Sequence, residues 1–197
     1  MTPPIVLGSA SPRRARILEA MGLRFAVGAA DVAETHVHDP VACVVENALR
    51  KFAALRPAHA RACLITADTL VFFRGRAIGK PRNLAHAAAM LRAFSGRTQL
   101  VFTAVALALP GQLPQIRVEA TSVRFKTLSP EDIEAYLRDV QPLDRAGAYD
   151  IDAGGERLIA ACRGSWTNVM GLPAEAVADW LTAQGIPAAL PEPWGRP

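Results

Sequence analysis

The 197-residue chain is 51% hydrophobic and 20% charged, an ordinary globular balance that excludes wholesale disorder and leaves length enough to bury a real core in one domain. Its net charge of +4, from 22 basic and 18 acidic residues, leans toward anionic ligands. No basic stripe interleaved with aromatics is present, so nucleic acid is not an expected partner.

Residues 5–7, Ile-Val-Leu, predict a short buried strand, and Gly8, Ser9 and Ala10 a tight turn after it. A helix then follows from local grammar: Ser11 as N-cap, Pro12 in the first helical position, and Ile17, Leu18 and Met21 on one face. Arg13 and Arg14 fall in its first turn, on the unfavourable side of the helix macrodipole, so something negative is expected beside them. Backbone N–H donors and forked guanidinium groups converge there as they do around phosphate. The alternative is that both arginines pair with carboxylates of a neighbouring loop.

Residues 25–27 predict a second strand, and "DVAETHVHDP" a polar loop. A helix over 41–55 buries Val44, Val45, Ala48 and Phe52 and leaves Glu46, Arg50 and Lys51 toward its edge or solvent. "CLITADTLVFF" is apolar and β-branched enough for a buried strand, and "RGRAIGK" makes a turn or hairpin tip after it. Asn83 caps a helix over 84–94, and strands over 98–109 and 115–125 flank the hairpin signal "PGQLP". "SPED" opens another helix at Ser129, with Asp132 as reciprocal partner in a capping box. Residues 142–155 predict loops around short pieces of strand, 158–162 a strand, and 173–184 a last amphipathic helix. From Gly185 the Pro-rich chain reads as irregular. Strands and helices alternate without an internal repeat, and the class is α/β.

Cys43, Cys63 and Cys162 are odd in number, far apart and without a Cys-x-x-Cys pair, which suggests buried free thiols rather than a disulfide framework or zinc site. The longest apolar stretch, residues 100–109, is far short of the ~20 residues of a membrane helix, and no cationic leader precedes the first apolar run. A cytoplasmic protein with no membrane partner is expected.

Asp68 is the most informative single residue. Within "LITADTLVFF" its carboxylate must be desolvated, so it acts as general base, as metal ligand, or as a strand-end group bonding local amides. "GRAIGKP" is not a P-loop, because three residues separate its glycines and Pro81 follows Lys80. Lys80 is left as a point charge for phosphate or as a surface lysine. His36 and His38 make a His-x-His pair, but in a polar loop beside Asp39-Pro40 they read as exposed and non-functional.

Taken together, "LGSASPRRARIL", "DVAET", "ALRK", "ITADTLV", "GKP", "MLRAFSGRT", "VRFKTLSPEDIEAYL", "PLDRAGAYDI" and "GSWTNVMGLP" closely resemble the Maf family of nucleoside triphosphate pyrophosphatases, in that family's order and spacing. The resemblance implies hydrolysis of a nucleoside triphosphate to the monophosphate and pyrophosphate, a divalent cation (Mg²⁺ or Mn²⁺), and in many members a homodimer. It implies a mixed sheet flanked by helices, with two lobes around a nucleotide-binding cleft in one domain over residues 1–185, followed by a Pro-rich tail over 186–197. The family's phosphate-handling groups fall on Ser9, Arg13, Arg14, Lys51 and Lys80, its loop carboxylate on Glu34, and its proton acceptor on Asp68. The resemblance implies that Glu34 or Asp68 holds the metal together with the phosphates, with Asp68 touching either the metal or only the water. Arg13 and Lys80 are expected to be exposed in the cleft.

The chain also departs from the family pattern. "AYDIDAGG" stands where "AYGIQG" is usual, so Asp150 replaces a glycine and Asp152 the glutamine associated with choice of base; Ala104 replaces a glycine and Arg145 a lysine. Arg13 and Thr69 match the branch acting on dTTP and UTP, whereas the acidic Asp152 is closer to the branch acting on methylated guanine nucleotides. Arg13, Thr69 and Asp152 are the expected specificity positions: dTTP and UTP are expected first, selected by Arg13 and Thr69, and guanine or cytosine nucleotides next, since an ionised Asp152 that reaches the base accepts from N–H donors and repels the carbonyls of uracil and thymine. The rival reading is a regulator of cell division or septum formation that senses nucleotide without catalysis.

Overall fold

The computed structural model describes residues 2–35 and 37–190. Its framework is a mixed sheet in the order β2 (Phe25–Val27), β1 (Ile5–Leu7), β3 (Cys63–Phe73), β5 (Thr98–Ala108), β6 (Gln115–Phe125) and β7 (Ile159–Arg163), with β4 (Arg76–Ile78) paired to β3 off that path. β1 runs parallel to β2 and to β3, while β5, β6 and β7 continue antiparallel. The expected α/β class, a mixed sheet flanked by helices, is the class observed.

Strand alternation sorts the core into two layers. Cys63, Ile65, Ala67, Val71 and Phe73 of β3 point into the larger cluster, with α1 (Pro12–Ala20), α3 (Leu84–Phe94), α4 (Pro130–Val140), α6 (Trp166–Met170) and α7 (Ala174–Ala183). Leu64 points the other way, into a smaller cluster with Val44, Ala48 and Phe52 of α2 (Pro40–Leu55). Asp68 and Thr69 are consecutive and so address opposite layers.

Local chemistry sets the element ends. Asp39 accepts from the Ala42 amide at 2.7 Å to start α2, Asn83 accepts from His86 to start α3, and Ser129 and Asp132 form the complete capping box of α4. Arg74 and Gly75, at φ 51° and 76°, turn β3 into β4 (Arg76–Ile78); two left-handed residues in a row match the twist of a two-residue hairpin.

Two regions differ from expectation. Residues 142–155 contain no strand; a 3₁₀ turn over Ala146–Ala148 is followed by the short α5 (Gly155–Leu158), and β7 begins only at Ile159. Left-handed backbone at Gly147, Ala148 and Gly154 interrupts any extended run there. The second is α6, a single turn and a half hidden in "GSWTNVMGLP", capped by Ser165 and stopped by Gly171 at φ 113°. The predicted irregular tail is tied down where described: Ile186 is buried and the Ala189 amide donates to the Met21 carbonyl. The rest of that tail, 191–197, lies outside the described residues.

Register explains where the sheet opens. β1 pairs with β3 only as far as Leu7 opposite Ile65, and β4 takes over at Val71 opposite Ile78. Between them, beyond the carboxyl end of β1, residues 66–70 of β3 have no strand on that side in either ladder. Asp68 and Thr69 sit in this gap, the kind of crevice where open α/β sheets bind ligands.

Candidate active site

The gap widens into a cleft of about 1020 Å³ whose walls include Ser9, Arg13, Arg14, Glu34, Lys51, Asp68, Thr69 and Lys80. Residues spread over more than seventy positions of sequence are thus brought to one cavity. Gly8 makes the turn into it: a Cβ there would come within 2.5 Å of the Thr66 methyl and 2.6 Å of a Leu55 methyl, so only glycine lets β1 enter α1 at this distance.

On the α1 side, the Arg14 guanidinium is buried, 9% exposed as a residue. Its Nε donates to the Gly171 carbonyl at 2.7 Å, and its terminal nitrogens donate to Ser9 Oγ at 2.9 Å and Thr69 Oγ1 at 3.1 Å. All three acceptors are neutral oxygens, and no salt bridge joins Arg14 to a carboxylate among the described residues. Burial pulls its pKa down to about 10, so it stays charged at neutral pH. The Thr69 hydroxyl is shared with Thr103 at 3.0 Å, and Thr103 donates to the Asn168 carbonyl, which anchors the Arg14 cradle to α6. Ser11 occupies the N-cap position without a side-chain cap bond; its amide donates instead to Ser9 Oγ at 3.2 Å.

On the α2 side, Lys51 Nζ sits between two carboxylates, 2.6 Å from Asp68 Oδ1 and 2.7 Å from Glu34 Oε1. Asp68 is 6% exposed, and its other oxygen accepts from Asn47 Nδ2 at 3.2 Å. The bond from Lys51 holds the Glu34 carboxyl below its ordinary range, against some desolvation. Lys51, expected nearer the helix edge, is instead half-buried and directed at Asp68. Asn47 was not singled out by sequence, because a polar residue within a helix ordinarily reads as solvent-facing.

The two adjacent arginines meet different fates. Arg13 faces Asp150 at 3.6 Å, and Asp150 is also bound by Arg145 Nε at 2.8 Å. The loop-carboxylate alternative therefore describes Arg13, while Arg14 has the anion-ready geometry. Arg13 is only partly exposed, in contrast to the open position expected of it. Burial and the nearby Arg145 charge pull the Arg13 pKa down, with Asp150 opposing. Burial pushes the Asp150 carboxyl up, but hydrogen bonds from Arg145 and the Asp152 amide and the Arg13 charge outweigh it and leave it below its usual value. Arg145 also contacts Asp144.

Lys80 is exposed on the cleft rim, as expected. Asp152 is not among the residues lining the cleft; its carboxylate is held by Arg16 at 2.8 Å. Asp150, two residues earlier, lines it instead. Of the His-x-His pair, His38 is exposed and His36 lies outside the described residues. Cys43 and Cys63 are buried and Cys162 half-buried, and none of the three is in a disulfide among the described residues. No helix among the described residues is long and apolar enough to cross a membrane.

A buried guanidinium hydrogen-bonded only to neutral oxygens among the described residues, opposite a lysine-clamped carboxylate and in a crevice beyond a strand's carboxyl end, is the arrangement of an α/β protein with an anion-binding cleft. Residues 4–184 match the model of the Maf-like protein family, and the chain belongs to the Maf family. It is 41% identical over 195 residues to the dTTP/UTP pyrophosphatase of Moorella thermoacetica, covering 98% of each chain. It is 38% identical over 190 residues to that of Akkermansia muciniphila, covering 95% of this chain and 100% of the relative. Against the dTTP/UTP pyrophosphatase of Myxococcus xanthus the identity is 40% over 192 residues, with 96% and 95% covered. A looser likeness among solved structures is to the Staphylococcus aureus Ham1 protein, at TM-score 0.48 and 16% identity over 78% of this chain and 90% of that one.

Proposed function

We propose that this chain hydrolyses nucleoside triphosphates to the monophosphate and pyrophosphate, with dTTP and UTP as favoured substrates. The observation that carries this reading is Arg14: a buried cation with three neutral hydrogen-bond acceptors and, among the described residues, no salt bridge to a carboxylate, on the wall of a cleft that Asp68 also lines. Such a charge is costly unless an anion completes it, and full-length relatives named dTTP/UTP pyrophosphatases give that anion its identity.

Asp68 accepts the proton of the attacking water, which is thereby aimed at the α-phosphorus as pyrophosphate leaves in line. Its burial and the bonds from Lys51 and Asn47 keep the carboxylate in one orientation. Arg14, with Ser9, receives the triphosphate oxygens through forked donors. Arg13 and the exposed Lys80 add charge at the mouth of the cleft.

The family implies a divalent cation. Among the described residues no three His, Cys, Asp or Glu side chains cluster as metal ligands, but Glu34 and Asp68 flank the Lys51 ammonium, and their oxygens left free by it, completed by substrate oxygens, are a donor set that suits Mg²⁺ or Mn²⁺; these two residues would hold it. Held by them, a divalent cation would neutralise charge on the phosphate oxygens.

Choice of base rests on Arg13 and Thr69 in this reading, since Asp152 is engaged by Arg16. The experiment is a panel of dTTP, UTP, CTP and 7-methyl-GTP with Mg²⁺ or Mn²⁺, measuring pyrophosphate release by wild type and Asp152→Gln. Expected are a dTTP/UTP preference and kcat/KM ratios that move less than about 3-fold in the variant, below the roughly 10-fold scale of one discriminating hydrogen bond. Absence of pyrophosphate from every triphosphate overturns the activity; a shift of 10-fold or more returns base selection to position 152.

A further inference from the structure

Asn47 lies on α2 one turn before Lys51, and it is 3% exposed. Its Oδ1 accepts from the Thr35 backbone amide at 2.8 Å and the Thr35 hydroxyl at 3.2 Å, while its Nδ2 donates to the Thr35 carbonyl and to Asp68 Oδ2, each at 3.2 Å. An asparagine amide has two acceptor and two donor positions, and all four are engaged, with Cys43 Sγ a third and longer contact of Nδ2 at 3.8 Å. The orientation of the amide is fixed by its neighbours, because a backbone N–H needs the oxygen and a backbone carbonyl needs the nitrogen.

The two ends of this side chain serve different segments. Thr35 is the residue after Glu34, in the loop that precedes α2, whereas Asp68 is on β3. Helical i, i+4 spacing puts Asn47 and Lys51 on the same face, where Lys51 takes Asp68 Oδ1 and Asn47 takes Asp68 Oδ2. A carboxylate held at both oxygens cannot rotate about its Cβ–Cγ bond without breaking one contact. Each oxygen still has a lone pair to accept a proton.

We infer that Asn47 is a positioning residue for the hydrolysis: it locks the rotation of the Asp68 carboxylate and pins the Glu34 loop at a fixed distance from it. This rests on the reading of Asp68 as proton acceptor. Asn47 touches no reacting atom; it acts through Asp68 and Thr35.

The test is a double-mutant cycle with Asn47→Leu, close in size, and Asn47→Ser, whose short hydroxyl can satisfy itself on its own helix, each made in wild type and in Asp68→Asn. Measurements are kcat and KM for dTTP, melting temperature, and hydrogen exchange at the Thr35 amide. In the wild-type background kcat should fall about 10-fold or more with KM within about 3-fold, the signature of an interaction that matters in the transition state. In the Asp68→Asn background the same substitutions should change kcat less than about 2-fold, because groups acting as one unit are not additive. Thr35 exchange protection should drop in both variants.

Wild-type kcat in either folded variant, a loss that appears only in KM, or equal losses in both backgrounds overturns the positioning role. If Asp68→Asn is itself as active as wild type, the proton-acceptor reading falls, and this inference with it. Should Asn47→Leu not fold, Asn47→Ser carries the same comparison.

Discussion

Arg14 donates to Gly171, Ser9 and Thr69 through a planar fork, a pattern that a lysine with one ammonium point cannot reproduce. Arg14→Lys should therefore lower kcat/KM for dTTP about 10-fold or more although the charge is kept, the scale of a lost charge-assisted hydrogen bond; steady-state kinetics within 2-fold of wild type would show that charge alone suffices. In sequence, Arg13 and Arg14 are two cations in one helix turn, and the macrodipole argument that something negative must be near applies to both equally. What separates them is tertiary: one helical step of about 100° turns Arg14 toward the Gly171 carbonyl and Arg13 toward Asp150. Asp68 was legible because a carboxylate inside an eleven-residue apolar strand has few ways to survive. Asn47 was not, since its partners Thr35 and Asp68 lie 12 and 21 residues away and no local pattern announces them. Asp152 was expected to share in choice of base with Arg13 and Thr69; in the fold Asp150 lines the cleft and Asp152 pairs with Arg16, a difference between neighbours in one loop that no local pattern announces.

α2 delivers Asn47 and Lys51 to the site together, and its start is fixed by Asp39 and Pro40. Asp39→Ala removes the bond to the Ala42 amide and should cost about 1 kcal/mol, which in a domain this size lowers Tm by roughly 2–4 °C. Because Lys51 lies three turns further on, kcat should change less than about 2-fold; differential scanning calorimetry beside a turnover assay checks both. A loss of activity larger than the loss of stability would mean that the cap positions the site directly. Elements with their own punctuation were legible in advance: the Ser129 capping box, the Asn83 cap, the Arg74-Gly75 hairpin and the β1-turn-α1 entry. α6 was missed because five residues are too few to show a period, and its helical turn is held by Ser165 and by Gly171 at the two ends. Strand pieces in 142–155 were expected from a stretch whose conformation is set by positive φ at Gly147, Ala148 and Gly154, which composition alone does not place.

Across the whole molecule the site's ion pairs couple the fold to pH. The Glu34 and Asp150 carboxyls are both held below their ordinary values in the folded chain. Groups with depressed folded pKa stabilise at pH above the unfolded value and lose that contribution as pH falls through the folded one. Urea-unfolding free energy should be level above about pH 5 and decline as pH drops through and below about 4, the unfolded carboxylate range. Asp150→Asn should make the decline shallower, and an unchanged slope would remove Asp150 from the linkage. The same sheet that holds these pairs opens between β1 and β4 to present Asp68, where in the proposed reaction water is deprotonated for attack on the α-phosphorus. Hydrolysis of dTTP in ¹⁸O-labelled water, with products resolved by mass spectrometry, locates the attack: label is expected in dTMP with pyrophosphate unlabelled, whereas label in pyrophosphate or in inorganic phosphate would overturn attack at the α-phosphorus.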